Sequence, residues 1–186
     1  MLKFFIFNDI WGFVSLSYTW KSHNDAPITR ENASKLLLEY FYPIHFSIGM
    51  RVEEGLRSCG TLNRNQTVIM WLLFSEARRT GRSSIARKEV VGLMTSWYDI
   101  SSSGVSKALK FLSEPPIKFI SLEKDENSAR EVVISLTDEG AKHCKKMLDS
   151  AALVVDRLSS GMTLEEAKMA VFMLMRMDQE FSKTSA

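Results

Sequence analysis

The chain has 186 residues, of which 45% are hydrophobic and 25% are charged, and this balance excludes a protein that is disordered throughout. The net charge of +2 predicts no partner by itself, but the stretch from Arg78 to Lys146 carries 13 basic and 9 acidic residues, while the rest of the chain is mildly acidic. A basic half beside an acidic half is compatible with one DNA-facing module and one partner-facing module.

The N-terminal region begins with an aromatic-rich segment, residues 1–22, which lacks clean periodicity and is interpreted as a packed arm. Its apolar run is broken early by two polar residues and no small-x-small site follows, so we expect neither a secretory signal nor a membrane span. Thr29 can cap a long helix that runs to Arg57, because apolar residues recur there at helical spacing. Pro43 lies inside that pattern and is expected to kink the helix.

Three shorter helices follow, each predicted from apolar residues at helical spacing, and the first and third also from a capping residue. Asn63 or Asn65 can cap the first and Ser101 the third, because a side-chain oxygen there can accept a hydrogen bond from a free amide of the first turn. Pro115-Pro116 ends the third, since neither proline can continue a helix. The predicted ranges are 66–79, 87–97 and 101–114, with a loop at 80–84.

The pattern then changes from helical to alternating. Two short β-branched runs, 117–123 and 132–136, flank the polar segment KDENSAR at 124–130. They predict a β-hairpin with a charged tip.

Two helices close the chain. Thr137 caps the first, which runs to Ser159, and a capping box of Thr163 and Glu166 opens the last, which runs to Phe181. That last helix, LEEAKMAVFMLMRMDQEF, is apolar nearly all round, which only a helix buried on most faces tolerates. We therefore predict that it forms a subunit interface in a homodimer, with a core helix of a monomer as the alternative.

This order of elements predicts a mainly α fold with a small β-hairpin wing, a winged helix-turn-helix. In the helix 101–114, the apolar residues Val105, Ala108, Leu109 and Leu112 leave a face of serines and lysines that could enter a major groove. The alternative is an ordinary surface helix with a solvated polar face. The candidate DNA-binding residues are Ser101, Ser102, Ser103, Ser106, Lys107 and Lys110 in that helix, and Lys124 and Arg130 in the wing.

The run WYDISSSGVSKALKFLSEPPIKFISLEKDENSAREVVISLTDEGAKH resembles the core of MarR-family transcriptional regulators, and the resemblance covers roughly residues 62–145. In that family a recognition helix leads into a wing, and a leucine-threonine step, here Leu136-Thr137, leads into a helix that contains a glycine. The chain keeps Asp125 and Arg130 of the wing pattern, whereas residues 128–129 depart from it. The resemblance implies a homodimer on double-stranded DNA, with the recognition helix in the major groove and the wing, 124–130, in the minor groove.

The same resemblance implies a division of the chain and an effector. N- and C-terminal helices, residues 1–60 and 146–186, would form the dimer, and residues 61–145 would bind DNA, most simply as a repressor. Many MarR-like regulators release DNA when a small aromatic acid enters a cleft. His45, Arg51 and Trp71 are candidates for such a site, as polar handle, cation and aromatic wall, with packing and surface salt bridges as the alternative.

Two cysteines, Cys59 and Cys144, lie far apart and in no metal-ligand spacing. They favour two free thiols in a reducing cytoplasm, and a redox switch is the alternative. No nucleophile, phosphate-loop or metal motif is present in the sequence, so we expect no enzyme, cofactor or metal site. The competing function is a winged-helix interaction module that modulates another regulator without binding DNA specifically.

Overall fold

The computed structural model describes residues 28–125 and 128–184, and the side chains of 128–130, 182 and 184 lie outside that description. The predicted arm at 1–22 therefore lies outside the described residues. The chain divides into two compact units, Met1–Phe41 and Tyr42–Ala186. The six helices and three strands of the described residues make the protein mainly α, as predicted.

The first helix, α1, spans Ala33–Arg57 and crosses the boundary between the two units. It begins three residues later than a cap at Thr29 predicts, because the residues before Ala33 form a turn. In that turn the Thr29 amide donates to Asn32 Oδ1 at 2.8 Å, and the Ala33 amide donates to the Thr29 carbonyl. Pro43 lies within the helix, which continues through it.

Three helices then pack in succession: α2 (Arg64–Thr80), α3 (Arg87–Trp97) and α4 (Ser102–Ser113). Asn63 caps α2 in a reciprocal box with Gln66, and Ser101 caps α4 by accepting from the Gly104 amide. These caps confirm the starts predicted from the sequence. Asp99 adopts a φ of 52° in the tight turn that separates α3 from α4, a left-handed conformation that aspartate tolerates better than most residues.

The sheet has three antiparallel strands in the order β1-β3-β2: β1 (Ser84–Ala86), β2 (Ile120–Asp125) and β3 (Ser128–Leu136). The predicted hairpin is confirmed as β2–β3, but its strands extend into the predicted tip, since β2 continues to Asp125 and β3 includes residues from Ser128 onward. The predicted loop at 80–84 and the predicted strand start at 117 are wrong in detail. Ser84 begins β1, and residues 117–119 form the connection between α4 and β2.

Two helices complete the chain, α5 (Asp138–Ser159) and α6 (Leu164–Thr184). Thr137 caps α5 by accepting from the Gly140 amide, and Thr163 and Glu166 form the predicted capping box before α6. Gly140 is required for close packing, because a Cβ atom there would lie 2.0 Å from the Phe119 carbonyl oxygen. The first turn of α5 therefore rests directly on the connection between α4 and the wing.

The hydrophobic core lies where α2, α3, α4 and α5 meet the sheet. Its most deeply buried large side chains come from every one of these elements: Ile69, Met70, Met94, Leu109, Leu112, Ile120, Ile134 and Met147. Across residues 28–125 and 128–184, no helix combines the length and the apolar character that a membrane crossing requires.

Candidate nucleic-acid interface

The two faces of α4 differ as a recognition helix requires. Val105, Ala108, Leu109 and Leu112 are buried in the core, as predicted from their spacing. Ser102, Ser103, Lys107 and Lys110 are exposed on the other side. One helix therefore both anchors itself in the domain and offers hydroxyl and ammonium groups to a partner.

The serines of α4 have different local roles. Ser101 Oγ accepts from the Gly104 amide at 3.2 Å and lies 3.1 Å from Ser103 Oγ, so its first role is to cap the helix. Ser106 Oγ donates to the Ser102 carbonyl at 2.9 Å. Ser102 and Ser103 therefore remain the better placed of the predicted serines to contact bases or phosphates.

Arg87, the first residue of α3, joins this candidate surface although no pattern in the sequence predicted it. Its Nη2 atom donates to Ser106 Oγ at 3.0 Å, which ties the start of α3 to the middle of α4. Arg87 also lines a cleft of about 470 Å³ between α4 and the wing. The cleft brings together two predicted residues, Lys110 of α4 and Lys124 of β2. The carboxylates of Glu114 and Glu123 also line it. The structure thus collects three cations from three elements in one cleft.

A second cation at the start of α3, Lys88, forms an ion pair with Glu131 of β3. β1 pairs with β3 from Ser84↔Ser135 to Ala86↔Val133. Because α3 begins directly after β1, and Glu131 precedes Val133 by two residues in β3, Lys88 and Glu131 lie close together. The Glu131 carboxylate, which accepts a hydrogen bond from the ammonium group, raises the pKa of Lys88.

A buried carboxylate fixes α3 against α2. Glu76 of α2 accepts from Arg79 Nη2 at 2.8 Å and from Arg82 Nη2 at 3.2 Å. Arg82 Nη2 also donates to Glu89 Oε1 of α3 at 2.8 Å, and this contact raises the pKa of Arg82. Because Glu76 is buried, loss of either arginine would leave a carboxylate with fewer partners inside the domain. The network therefore holds the first turn of α3 in place.

The wing contains the two remaining predicted DNA-binding residues. Lys124 is exposed on β2, next to a register irregularity between Lys124 and Asp125. Arg130 lies in β3, and its side chain is outside the described ones.

Lys110 of α4 forms an ion pair with Glu114 at 3.9 Å, one helical turn away, and this exposed contact contributes little energy. Two of the basic residues on this side, Lys88 and Lys110, thus have a carboxylate neighbour.

The predicted effector residues lie on two different helices. His45 and Arg51 are exposed on α1, and the ring of His45 lies 5.0 Å from that of Phe46. Trp71 of α2 lines a shallow cleft of about 320 Å³ whose other lining residues do not include His45 or Arg51. These other residues are Phe74, Ser75, Arg78 and Arg79. Within the described part of the chain, no group of three or more His, Cys, Asp or Glu residues could hold a metal ion.

A wide apolar surface covers α6 and the second half of α5. Every described side chain of α6 except Ala167 is exposed in the single chain. Among the described residues of Tyr42–Ala186, α6 therefore has no core to pack against, which favours the predicted subunit interface over a core helix of a monomer. Its large exposed apolar residues, each at least 41% accessible, are Leu164, Met169, Val171, Phe172, Met173, Leu174, Met175, Met177 and Phe181.

Comparison with known proteins identifies the fold. A MarR transcriptional regulator from Methanosarcina mazei Go1 matches with a TM-score of 0.57 at 17% identity, over 88% of this chain and 98% of that one. Sco3205, a MarR family transcriptional regulator from Streptomyces coelicolor solved in complex with DNA, matches with a TM-score of 0.54 at 16% identity, over 84% and 92%. A mutant MarR from E. coli complexed with operator DNA matches with a TM-score of 0.51 at 14% identity, over 81% and 99%.

No protein-family model matches the sequence, and no curated protein matches it. At these identities the structural likeness establishes the fold: the chain has the winged helix-turn-helix architecture of MarR-family regulators. This agrees with the resemblance inferred from the run around α4 and the wing.

Proposed function

We propose that this chain, which shares the fold of the MarR regulators, is a transcriptional regulator that binds double-stranded DNA in a sequence-specific way. The observation that carries the proposal is α4, whose exposed Ser102, Ser103 and Lys107 lie opposite a fully buried stripe. A helix presented in this way fits a major groove, where hydroxyls can contact base edges and ammonium groups can contact phosphates. Lys124 and Arg130 would place the wing in the adjacent minor groove.

The proposal includes a homodimer, with α1, α5 and α6 as its interface. Monomeric proteins rarely expose an apolar patch of more than a few hundred Å², and the exposed residues of α6 alone include two phenylalanines and four methionines. An interface between two copies would remove this surface from water and place two recognition helices on one duplex. The pair would then read a site with two-fold symmetry, one helix in each half-site. Repression is the regulatory direction that we propose.

Two further elements belong to the proposal. The free thiols Cys59 and Cys144 support a cytoplasmic location, where disulfides are rare. A small aromatic effector is proposed for the cleft at Trp71, where Arg78 lies 5.7 Å above the ring of Phe74 and supplies a cation beside an aromatic wall.

A second function is favoured by one observation, the carboxylates that accompany Lys88 and Lys110. A surface whose cations are partly neutralised suits an interaction module that binds another regulator. The two functions differ in whether α4 contacts DNA or another protein. A negative charge added to α4 can therefore distinguish them.

The test is Ser103→Glu, with Ala141→Glu as the matched control. Both positions are exposed in the first turns of their helices, α4 and α5, and both changes add one carboxylate. Exposed substitutions of this kind change stability by within about 0.5 kcal/mol. A site is first selected from a pool of random duplexes with the unaltered protein, and affinities are then measured by fluorescence anisotropy.

We expect Ser103→Glu to lose at least about tenfold in affinity, because a carboxylate would face the phosphates and a polar contact would be lost. Ala141→Glu should bind as the unaltered protein does. Sedimentation must show that both variants remain dimers. Failure to enrich any duplex, or equal affinities for the two variants, would favour the interaction module.

A further inference from the structure

The start of α3 breaks a local rule of helix stability. Its first two residues, Arg87 and Lys88, place two cations at the positive end of the helix dipole, where negative charge is preferred. Ala86, the N-cap residue, makes no side-chain hydrogen bond to the free amides. Residues that break such a rule are expected where function requires them. The two cations therefore call for an explanation beyond the helix itself.

The neighbourhood of Lys88 is acidic. Glu131 accepts its hydrogen bond, and the charges of Asp125 and Glu89 are close enough to contribute to the raised pKa of the ammonium group. The Lys88 side chain is nonetheless 78% exposed, and that of Glu131 is 26% exposed. Solvent and other ions can thus reach this pair, and an exposed ion pair of this kind stabilises a fold only slightly.

The pair also lies beside the surface proposed to face DNA. Arg87, the neighbour of Lys88 in the chain, lines the cleft between α4 and the wing. Glu131 belongs to the same strand as the proposed minor-groove residue Arg130. A phosphate group that approaches this edge would have to displace Glu131 from Lys88 before it gained an ion pair, and it would also meet the negative charge of Glu131.

We propose that Glu131 is an affinity-limiting residue of the DNA interface, which engages Lys88 and so weakens binding to DNA of any sequence. This inference rests on the proposed function, because it concerns the same surface. Sequence-independent binding is almost entirely electrostatic, whereas base contacts carry specificity. A carboxylate that competes with phosphates lowers the electrostatic part of binding to any duplex and leaves the base contacts unchanged.

The expected size follows from counterion release. Freeing Lys88 for one phosphate contact in each subunit adds two contacts per dimer, and each steepens the log–log salt dependence by about 0.9. Between about 50 and about 200 mM salt, these two contacts correspond to roughly a tenfold additional loss of affinity. The gain in affinity of Glu131→Gln over the unaltered protein, on a duplex of arbitrary sequence, should therefore be about tenfold larger at the low-salt end than at the high-salt end.

The experiment uses the full chain and four variants. Glu139→Gln is the matched control, since Glu139 forms an exposed ion pair with Lys142 on α5, outside the helix-turn-helix and the hairpin. Lys88→Gln and the Lys88→Gln, Glu131→Gln double variant complete a cycle that isolates the coupling between the two residues. Affinity for a duplex of arbitrary sequence is measured across the salt range, and elution from heparin is measured in parallel.

We expect Glu131→Gln to bind more tightly and with a steeper salt dependence than Glu139→Gln, and to elute from heparin at higher salt. Lys88→Gln should bind no more tightly than the unaltered protein, because it removes a cation and leaves the Glu131 carboxylate facing the phosphates, and the double variant should lose most of the gain. Equal binding by Glu131→Gln and Glu139→Gln overturns the proposal, as does weaker binding by Glu131→Gln, which would make the pair a support of the wing. Tighter binding by Lys88→Gln alone overturns it too, whether or not Glu131→Gln folds.

The two proposals fail in different ways. If no protein in the set binds duplex, either of arbitrary sequence or selected from a random pool, while Glu131→Gln still elutes later from heparin than Glu139→Gln, the function in DNA binding is refuted, and Glu131 limits the binding of another polyanion instead. If duplex binds but the two glutamine variants behave alike, the restraint is refuted and the DNA-binding function stands.

Discussion

Replacing Gly140 with alanine should destabilise the protein, although alanine favours helices more than glycine does. The added Cβ atom would lie 2.0 Å from the Phe119 carbonyl oxygen, so the backbone there must move by at least about 1 Å to reach a tolerable distance. That carbonyl accepts from the Thr137 amide at 3.0 Å, and the Phe119 amide donates to the Leu112 carbonyl at 2.8 Å. Movement of Phe119 would therefore strain its hydrogen bonds to Leu112 of α4 and to Thr137, the N-cap residue of α5.

The magnitude can be worked from these contacts. Overpacking costs about 1–3 kcal/mol, and a buried hydrogen-bonding group left without its partner costs about 1–3 kcal/mol. The helix propensity of alanine offsets about 0.5–1 kcal/mol of this. We expect a net loss of about 3 kcal/mol, which corresponds to a fall in Tm of about 6–12 °C for a chain of this size.

The chain offers a matched control in Gly92, which is exposed in the middle of α3 and whose added Cβ atom would meet nothing within 4 Å. Gly92→Ala should stabilise the protein by about 0.5–1 kcal/mol. Urea unfolding of both variants at one protein concentration measures the difference. If Gly140→Ala is as stable as the unaltered protein, the close contact with Phe119 does not constrain the fold and the reasoning is refuted.

Two further predictions concern titratable groups. Burial, followed by the charge of Lys146, lowers the pKa of His143, whose ring stacks on Phe119 at 4.5 Å. The unfolded chain then takes up the proton first, so stability should be complete above about pH 6.5 and decline as the pH falls below it toward the folded-state pKa. His143→Gln should abolish that decline in urea unfolding, and an unchanged pH profile would exclude His143 as its source. Burial also raises the pKa of Cys144 to about 12, so in the native protein a thiol reagent should modify half-buried Cys59 slowly and Cys144 only on unfolding. Mass spectrometry locates the label, and modification of Cys144 in the folded state would contradict its burial.

The sequence predicts most of the helices because their end signals are local. Asn63, Ser101, Thr137 and Thr163 each carry a capping oxygen at the right distance from the first free amides, and all four begin helices as expected. Thr29 carries the same oxygen, but the chain forms a turn there first. A cap oxygen thus marks a helix start reliably only where the following residues leave it no competing turn.

The strands are harder to predict because their partners lie far along the chain. The three residues of β1 are too few to show alternation, and β1 exists because Ile85 pairs with Ile134 almost fifty residues later. The polar segment at 124–130 carries no apolar alternation, so the sequence predicts a hairpin tip there. Residues 124–125 and 128–130 are nevertheless strand residues, since backbone hydrogen bonding across a hairpin does not depend on apolar side chains.

The candidate site also combines residues that local sequence patterns predict with residues that only tertiary contacts bring together. The exposed face of α4 follows from helical periodicity alone, and Ser102, Ser103 and Lys107 lie where that periodicity places them. Arg87 and Lys88 join the site only through tertiary contacts with Ser106 and Glu131. One signal was present in the sequence: two cations at a helix start, where the dipole disfavours them.

The register of the sheet gives the wing two mechanically different halves. Near its base, β3 is held between β1 and β2, and Lys88 meets Glu131, so that half moves with α3. The regular pairing of β2 with β3 ends at the irregularity between Lys124 and Asp125. Residues inserted beyond that irregularity would lengthen the hairpin without shifting the alignment of β1 with β3. The reach of the wing along a groove can therefore diverge between related proteins while the frame that carries α4 stays constant.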